Sequence, residues 1–536
     1  MNLHRQDCLC HIFLQMHNAR CDTMRVPMAA ASSHAPASAA PETRNDTLIL
    51  AAIAAAVAII HIATNGRYGF HRDELQTMTD AFHMEWGFVA YPPFTPAIER
   101  VGWALFGQSL IGLRIFSVIA QALAIFITGL MARELGGRRL AQVTAALCVA
   151  LAPLPIFEGT EFQYSSFDYL WWTLAAYFVV RLLTSDNPRW WLGIGAAVGA
   201  GLMTKYTMAF FLAGIAGGVL LTPARRFLKS GWFWAGAALT LAICAPNIIW
   251  QARHDWISYH FLHYIHARDV RLGRTHGYIL NQFLHCTNVA SVPLWIAGLI
   301  AYFRDRRYRM LGWMYVIPFL LFLVNKGRDY YLAAAYPMLL AMGSVRAVEW
   351  VSRFRTTPRR AMERTFFIWL GITGVYASLI LVPWASSGPL RDFALAHNGD
   401  LREEIGWPDF VKSLALIRDQ LPPDEREGAR ILVGNYGEAG AVEVLGPAYG
   451  LPQELEVTNS GWYRTFPQTP PSMLIVAGWD QKDRDEQFTG CRLAGHNGNP
   501  LLVDNEESRD HPDIYVCDGT PRNGWRQFWD DMQWYG

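Results

Sequence analysis

Long apolar runs separated by short polar segments dominate the first 385 residues of the chain. Each run approaches the length of a helix that crosses about 30 Å of hydrocarbon. The runs lie near residues 46–64, 111–132, 141–157, 168–184, 190–204, 207–222, 232–250, 289–303, 311–325, 330–348 and 366–385. The pattern therefore predicts an all-α polytopic membrane domain over residues 46–385, with about eleven transmembrane helices.

Residues 386–536 follow a different pattern, in which charged residues, Pro and Gly separate short apolar stretches. Two β-rich stretches end in Gly and polar residues, ARILVGNYGEAGAVEVL at 429–445 and SMLIVAGWD at 472–480. These stretches predict a small soluble α/β domain over residues 386–536. The segment GNYGEAG lacks the GxGxxG spacing of a dinucleotide site, so the domain carries no nucleotide fingerprint.

Residues 1–45 contain no continuous apolar segment and are rich in Ala, Ser, Pro and His near 29–42. We therefore expect a disordered extension and not a signal peptide. Met24 and Met28 are alternative start positions.

The composition agrees with a membrane protein. Of the 536 residues, 52% are hydrophobic and 17% are charged, whereas soluble domains carry about 25% charged residues. The formal net charge of +1 gives no electrostatic reason to expect nucleic acid as a partner. The expected partner is the lipid bilayer.

The Lys and Arg clusters predict the orientation of the chain, because basic clusters favour the cytoplasmic side. They lie at 133–139, 224–229, 304–309 and 346–364. The segments predicted to lie on the opposite, external side are 65–110, 158–167, the turn at Lys205, 251–288, 325–330 and the C-terminal domain. In a bacterium this predicts an inner-membrane protein with its site on the periplasmic face.

The first external segment has an unusual pattern, HRDELQTMTDAFHMEWGFVAYPPF at 71–94. Leu75, Met78 and Phe82 recur at helical spacing, which predicts an amphipathic helix that lies in the membrane interface. The segment YPPF at 91–94 is expected to end that helix, because Pro lacks the backbone donor and restricts the residue before it.

Carboxylates in these external segments are candidates for general-base chemistry. Asp73 and Glu74 are adjacent, Glu161 lies in the second loop, and Asp168 opens the next apolar run. A carboxylate at a membrane edge is costly unless it is paired or functional, and an ionised one takes a proton from a hydroxyl. The alternative is a solvated helix face or a helix cap.

External cations suit an anionic ligand such as a phosphate at the membrane surface. Lys205 and Tyr206 form one turn, and Lys326 and Arg328 lie in NKGRDYY at 325–331. Arg binds phosphate through a planar fork and Lys as a point charge. The alternative for both lysines is that they extend towards lipid headgroups.

Histidines and cysteines add two further hypotheses. His260, His263 and His266 recur every third residue, which fits a metal site or a solvated helix stripe. A divalent metal is therefore left open, and no cofactor is required by the sequence. Cys491 and Cys517 form a candidate disulfide if the C-terminal domain is external.

Taken in order, these segments resemble the bacterial members of glycosyltransferase family 39. This family is related to the dolichyl-phosphate-mannose–protein mannosyltransferases and the lipid A aminoarabinose transferases. The resemblance extends over residues 46–385 and rests on the AspGlu pair, YPPF, LFGQSLIGLRIFSVIAQALAIF, GLMTKYTMAFF, APNIIWQARHDW and KGRDYYLAAAYPMLLA.

The resemblance implies a GT-C fold, interfacial helices in the first external loop, and a polyprenyl-phosphate sugar as donor. It implies that Asp73 is the catalytic base, with Glu74 beside it, and that Asp168 matches the family's second acidic position. The acceptor would be a protein, a lipid or a glycan. The candidates for substrate contact are Arg72, Tyr91, Pro92, Glu161, Lys205, Tyr206, Lys326 and Arg328.

The chain departs from the aminoarabinose transferases at two positions. They tend to have basic residues where this chain has Gln76 and Tyr91. Phosphate contact would then come from elsewhere, with Arg72 and Arg100 as candidates, and a lipid A acceptor is not implied.

The residues predict group transfer from a lipid phosphate to a hydroxyl at the external face, and the resemblance implies that the transferred group is a sugar. A single base and no evident nucleophile predict inversion of the anomeric centre. The alternatives are a transporter or flippase for a lipid-linked sugar, and a membrane scaffold that binds a partner through its external domain.

Overall fold

In the computed structural model, residues 44–533 are described. The predicted disordered extension, residues 1–45, lies outside the described residues except for its last two positions, where the first helix begins at Arg44.

Helices form the apolar part of the chain, with three 3-10 turns between them at Pro223–Lys229, Val289–Ser291 and Asp329–Ala335. The α-helices are α1 Arg44–Thr64, α2 Arg72–Phe82, α3 Phe94–Phe106, α4 Leu110–Glu134, α5 Arg139–Ala150, α6 Pro153–Glu158, α7 Tyr164–Ser185, α8 Trp190–Leu202, α9 Met208–Leu220, α10 Gly231–Arg253, α11 Ile257–Arg271, α12 Tyr278–Leu284, α13 Val292–Arg304, α14 Arg309–Val324, α15 Tyr336–Val351 and α16 Thr356–Leu381.

Each predicted apolar run contains a helix. In the described chain, five helical segments are long and apolar enough to cross a membrane, and two bent helix pairs raise that number to seven. The five segments are Arg44–Thr64, Leu110–Glu134, Gly231–Arg253, Asp329–Val351 and Thr356–Leu381. The protein is therefore a multi-pass membrane protein, and the figure of about eleven spans stays a prediction.

A small α/β unit follows α16, as the C-terminal pattern predicts. Its helices are α17 Pro389–His397, α18 Asp400–Glu403, α19 Trp407–Gln420, α20 Pro423–Glu427, α21 Tyr436–Leu445, α22 Gly461–Arg464, α23 Gln481–Gln487, α24 Glu506–Asp510 and α25 Trp525–Asp531, with a 3-10 turn at Gly446–Tyr449. Its strands are β1 Ala429–Val433, β2 Glu454–Glu456, β3 Met473–Ala477, β4 Arg492–His496 and β5 Asp513–Asp518.

The strands form one mixed sheet in the order β2-β1-β3-β5-β4. Strands β2, β1 and β3 run parallel, and β5 pairs antiparallel with both β3 and β4. Cys491 and Cys517 form a disulfide beside β4 and β5, which confirms the predicted pairing. The domain boundary near residue 386 stays a prediction.

The helix α2 differs from the predicted interfacial helix. It ends at Phe82, well before YPPF, and Pro93 is the N-cap of α3, so this segment begins a helix and does not end one. All residues from 74 to 81 are buried. The reason is that α21 of the C-terminal domain packs along α2, while α3 covers another side.

One buried acid predicts how the stability of the C-terminal domain changes with pH. Burial raises the pKa of Glu438 in α21 from its ordinary 4.5 to about 7. Between these pH values the folded domain holds a proton that the unfolded chain has lost, so the free energy of unfolding falls as pH rises. The fall attributable to Glu438 is about 3 kcal/mol.

We expect Glu438→Gln to reduce this pH dependence, because the amide keeps the shape and does not ionise. The measurement is the midpoint of thermal unfolding in detergent at several pH values between 4.5 and 8. Glu427→Gln, at an exposed position at the end of α20, is the matched control. An unchanged pH slope in Glu438→Gln would contradict the assignment.

Candidate active site

The N-terminus of α2 is fixed by a capping box. The His71 side chain accepts a hydrogen bond from the Asp73 backbone N–H at 3.2 Å, and Glu74 accepts one from the His71 backbone N–H at 2.8 Å. This reciprocal cap satisfies two donors that a helix otherwise leaves unpaired. It also determines that Glu74 points inward while Asp73, next to it, stays half-buried.

Glu74 forms a fully buried ion pair with Arg114 of α4. Arg114 donates from Nε to Glu74 Oε1 and from Nη2 to Glu74 Oε2, each at 2.7 Å. Glu74 Oε1 also accepts the Phe162 backbone N–H at 2.8 Å. Both oxygens of Glu74 are therefore committed to contacts within the protein.

Two further carboxylates lie around the Arg114 guanidinium. Glu404 Oε2 is 3.4 Å from Arg114 Nη1, and Glu161 Oε2 is 3.7 Å from His71 Nδ1. Burial raises the pKa of Glu404 to about 8 and that of Glu161 well above its usual range, although Arg114 opposes both shifts. The cluster is a buried acidic network that joins α2, α4 and the C-terminal domain.

Asp73 faces the C-terminal domain. Its Oδ1 accepts a hydrogen bond of 2.8 Å from the hydroxyl of Tyr436, the first residue of α21. Its Oδ2 accepts no side-chain or backbone hydrogen bond from residues 44–533. One oxygen is thus held by a phenol, and the other is available for a substrate proton.

Lys205 lies in a cage of aromatic rings at the corner between α8 and α9. Its Nζ is 4.8 Å from the ring centroids of Tyr164, Tyr330 and Tyr331. Such contacts attract a cation to the ring faces. Burial lowers the pKa of the Lys205 ammonium, and the nearby Asp168 carboxylate opposes that shift.

Asp168 lies next to this cage. Its Oδ1 accepts a hydrogen bond from Trp172 Nε1 at 3.0 Å, and its Oδ2 accepts one from Thr207 Oγ1 at 2.8 Å. Glu158 provides a second acidic neighbour for Lys205, and burial raises its pKa to about 7. Asp168 therefore balances the charge of Lys205 and fixes the corner that carries it.

The two other predicted cations differ from Lys205. Arg328 forms a fork with Asp269 of α11, with Nε and Nη2 donating over 2.6 and 2.8 Å. Arg274 is 3.7 Å from the same carboxylate. Lys326 is exposed at the end of α14.

The remaining residues that were predicted to contact the substrate make contacts within the protein. Arg72 pairs with Glu506 of the C-terminal domain. The Tyr91 hydroxyl donates to Asp80 at 2.7 Å, and Pro92 is buried beside it. Tyr206 accepts a hydrogen bond of 2.8 Å from Gln251 of α10.

Asp73, Lys205 and Arg328 are all neighbours of Tyr164 at the start of α7. Asp73, Tyr436, Arg328 and Tyr331 all act electrostatically on its phenol, and Lys205 lies over its ring. Tyr164 thus has one carboxylate and two cations among its neighbours.

An apolar groove opens beside the segment that joins α2 and α3. Its volume is about 540 Å³. The lining residues are Met84, Glu85, Trp86, Pro93, Phe94, Ala97, Ala200, Met203 and Ile243. Such a groove has the chemistry to receive a hydrocarbon chain.

The histidines of α11 are not gathered into a metal site. His260, His263 and His266 are exposed along the helix. Within residues 44–533, no group of three or more His, Cys, Asp or Glu side chains is arranged to hold a metal ion. The solvated stripe is the arrangement that the structure shows.

Comparison with known proteins agrees with this architecture. A family model described as dolichyl-phosphate-mannose-protein mannosyltransferase matches residues 90–250, a segment that includes Asp168 and Lys205 and begins after α2. The fold is shared with ArnT from Cupriavidus metallidurans bound to undecaprenyl phosphate, with a TM-score of 0.52 and 13% identity over 89% of this chain and 99% of that chain. The predicted resemblance to the GT-C glycosyltransferases is confirmed.

Two curated relatives define the resemblance more narrowly. The chain is 23% identical over 273 residues to undecaprenyl phosphate-alpha-4-amino-4-deoxy-L-arabinose arabinosyl transferase 1 of Pseudomonas fluorescens, covering 47% of each chain. It is 25% identical over 256 residues to a lipid A galacturonosyltransferase of Rhizobium johnstonii, covering 46% of this chain and 53% of the relative. The chain thus spans about half the length of the curated relatives it matches.

Proposed function

We propose that this protein is a membrane glycosyltransferase that moves a sugar from a polyprenyl-phosphate donor to an acceptor hydroxyl. The observation that carries the proposal is the geometry around Tyr164. Asp73 has a carboxylate oxygen that accepts no hydrogen bond from residues 44–533, and the cations Lys205 and Arg328 are neighbours of the same phenol. Transfer from a phosphate requires both a base for the acceptor hydroxyl and positive charge for the leaving phosphate.

In the proposed reaction, the oxygen of the acceptor hydroxyl attacks the anomeric carbon of the donor sugar. Asp73 Oδ2 takes the proton of that hydroxyl. A new carbon–oxygen bond forms, and the bond from that carbon to the phosphate oxygen breaks. The electron pair stays on the phosphate, where Lys205 and Arg328 stabilise the negative charge. Direct attack inverts the anomeric centre, which NMR of the product tests.

The donor's hydrocarbon chain would occupy the apolar groove lined by Phe94, Met203 and Ile243. The relatives include transferases named for an undecaprenyl phosphate sugar, and the same donor class suits this groove. The acceptor is a protein, a lipid or a glycan. We place the reaction on the periplasmic face of the bacterial inner membrane, as the basic clusters indicate.

A transporter of lipid-linked sugars is the alternative. Transporters place ionisable groups near the middle of the membrane, often on broken helices. Here Asp73 lies at a helix N-terminus and Lys205 in a turn between helices. The geometry therefore favours transfer.

The test is transfer by the purified protein in liposomes, with a panel of radiolabelled polyprenyl-phosphate sugars and total membrane extract as acceptor. Label in the acceptor fraction supports the proposal, and that fraction identifies the acceptor class. If a donor moves across the bilayer and no donor gives transfer, the transporter becomes the better-supported function.

Replacing Lys205 by Met is expected to weaken donor binding by about tenfold to a hundredfold, because a charged contact to the phosphate is lost. The measurement is the dissociation constant for a polyprenyl phosphate. Lys482→Met, at an exposed position in the C-terminal domain, is the control. Equal affinity in wild type and Lys205→Met would remove Lys205 from the binding site.

A further inference from the structure

Within residues 44–533, one side chain of the C-terminal domain hydrogen-bonds to Asp73, the candidate base. Tyr436 is half-buried, and its hydroxyl donates to Asp73 Oδ1 over 2.8 Å, although the two residues are 363 positions apart in sequence. The donation leaves Oδ2 as the oxygen open to the acceptor hydroxyl.

The position of Tyr436 is fixed from two directions. Asn435 caps α21, since its Oδ1 accepts the backbone N–H groups of Gly437 at 2.9 Å and Glu438 at 3.0 Å. On the other side, the Arg72 guanidinium lies 5.7 Å from the centroid of the Tyr436 ring. Arg72 is itself held by Glu506. The phenol is therefore oriented before any substrate arrives.

Two glycines let α21 approach α2 closely. A Cβ added at Gly437 would come 2.6 Å from the Cβ of Arg72, and one added at Gly440 would come 2.6 Å from the backbone of Leu75. Residues three apart lie on the same helix face. This face of α21 thus fits directly against α2, which carries Asp73.

We infer that the C-terminal domain is part of the active site and supplies Tyr436 as a positioning residue for Asp73. The inference rests on the proposed function. By holding Oδ1, Tyr436 directs Oδ2 to the acceptor hydroxyl, whose proton moves to Oδ2 as the new sugar–oxygen bond forms and the sugar–phosphate bond breaks. Tyr436 itself keeps its proton throughout.

Several charged or titratable groups surround this pair. They are His71, Arg72, Tyr164, Arg268, Arg328 and Glu506. None of these side chains is changed when Tyr436 is replaced, so a change in the pH profile would report the lost phenol.

The test compares kcat, donor KM and the pH profile of wild type and Tyr436→Phe in the liposome transfer assay. We expect kcat to fall roughly tenfold to a hundredfold, as for a hydrogen bond to a charged group, with donor KM unchanged. Loss of a donor to a carboxylate disfavours its ionised form, so the acidic limb of the profile should move to higher pH. Tyr449→Phe, at an exposed position in the same domain, is the control.

A second variant, Gly440→Val, separates α21 from α2 and leaves the Tyr436 side chain intact. It should reproduce the loss in kcat, and matching gel-filtration profiles would show that both variants are folded. If the wild type is active and Tyr436→Phe has the same kcat and pH profile, this inference is wrong and the proposed function still stands. Absence of transfer by wild type would instead overturn the proposed function, and with it this role of Tyr436.

Discussion

Replacing Asp73 by Asn is expected to reduce sugar transfer by about 10²- to 10⁴-fold, the usual contribution of a general base. The amide keeps the size of the side chain and still accepts the Tyr436 hydrogen bond, but it does not take a proton from the acceptor. Donor affinity should stay nearly unchanged, because Lys205 and the apolar groove are untouched. Initial rates and donor binding, measured on the same preparation, separate the two effects.

The matched control for Asp73 is Asp392→Asn in α17. Asp392 is exposed and pairs with its neighbour Arg391 on the same helix. The Asp392→Asn variant should transfer sugar at the wild-type rate. Full activity in Asp73→Asn would eliminate Asp73 as the base, whereas equal losses in both variants would point to a general effect on folding.

Replacing Arg114 by Lys should cost about 1.5–3 kcal/mol of stability, because Lys keeps the positive charge but loses hydrogen bonds to a buried charged group. Lys cannot reproduce the fork that reaches both oxygens of Glu74, nor the further bonds of Arg114 to the carbonyls of Asn65 and Gly69. The Glu74 carboxylate would then be buried with fewer hydrogen bonds. A lower midpoint of thermal unfolding in detergent is the measurement.

Arg139→Lys is the control for that variant. Arg139 pairs with Asp46 near the start of α5, and its side chain is largely exposed, so a loss within about 1 kcal/mol is expected. If Arg114→Lys unfolds at the wild-type temperature, the Arg114 network does not hold α2 to α4 and the C-terminal domain.

The architecture could be predicted because apolar periodicity acts locally. Each apolar run contains a helix, and the stretches at 429–445 and 472–480 contain strands β1 and β3. The error at α2 has a tertiary cause. The sequence shows one apolar stripe and polar residues elsewhere, but Asp80 is buried because Arg464 of the C-terminal domain pairs with it at 2.7 Å. The local sequence pattern around Asp80 does not indicate that Arg464 is its partner.

The site was only partly predictable for the same reason. Asp73 and Lys205 stand out as charges between apolar runs. Tyr436 does not, because its importance comes from a contact with a residue 363 positions away. Arg114 did carry a signal that the sequence analysis did not use. It is a charge inside the apolar segment LIGLRIF, where an ionisable side chain requires a partner.

The contact between α21 and α2 also has a consequence for the order in which the protein is made. Asp73 is synthesised early, with the first membrane helix, and Tyr436 emerges only after all the membrane helices. A nascent chain that has inserted α1 to α16 therefore contains Asp73 and the Lys205 cage but not Tyr436, which we propose orients Asp73. In the proposed mechanism, full activity would then begin only once the C-terminal domain has folded against α2.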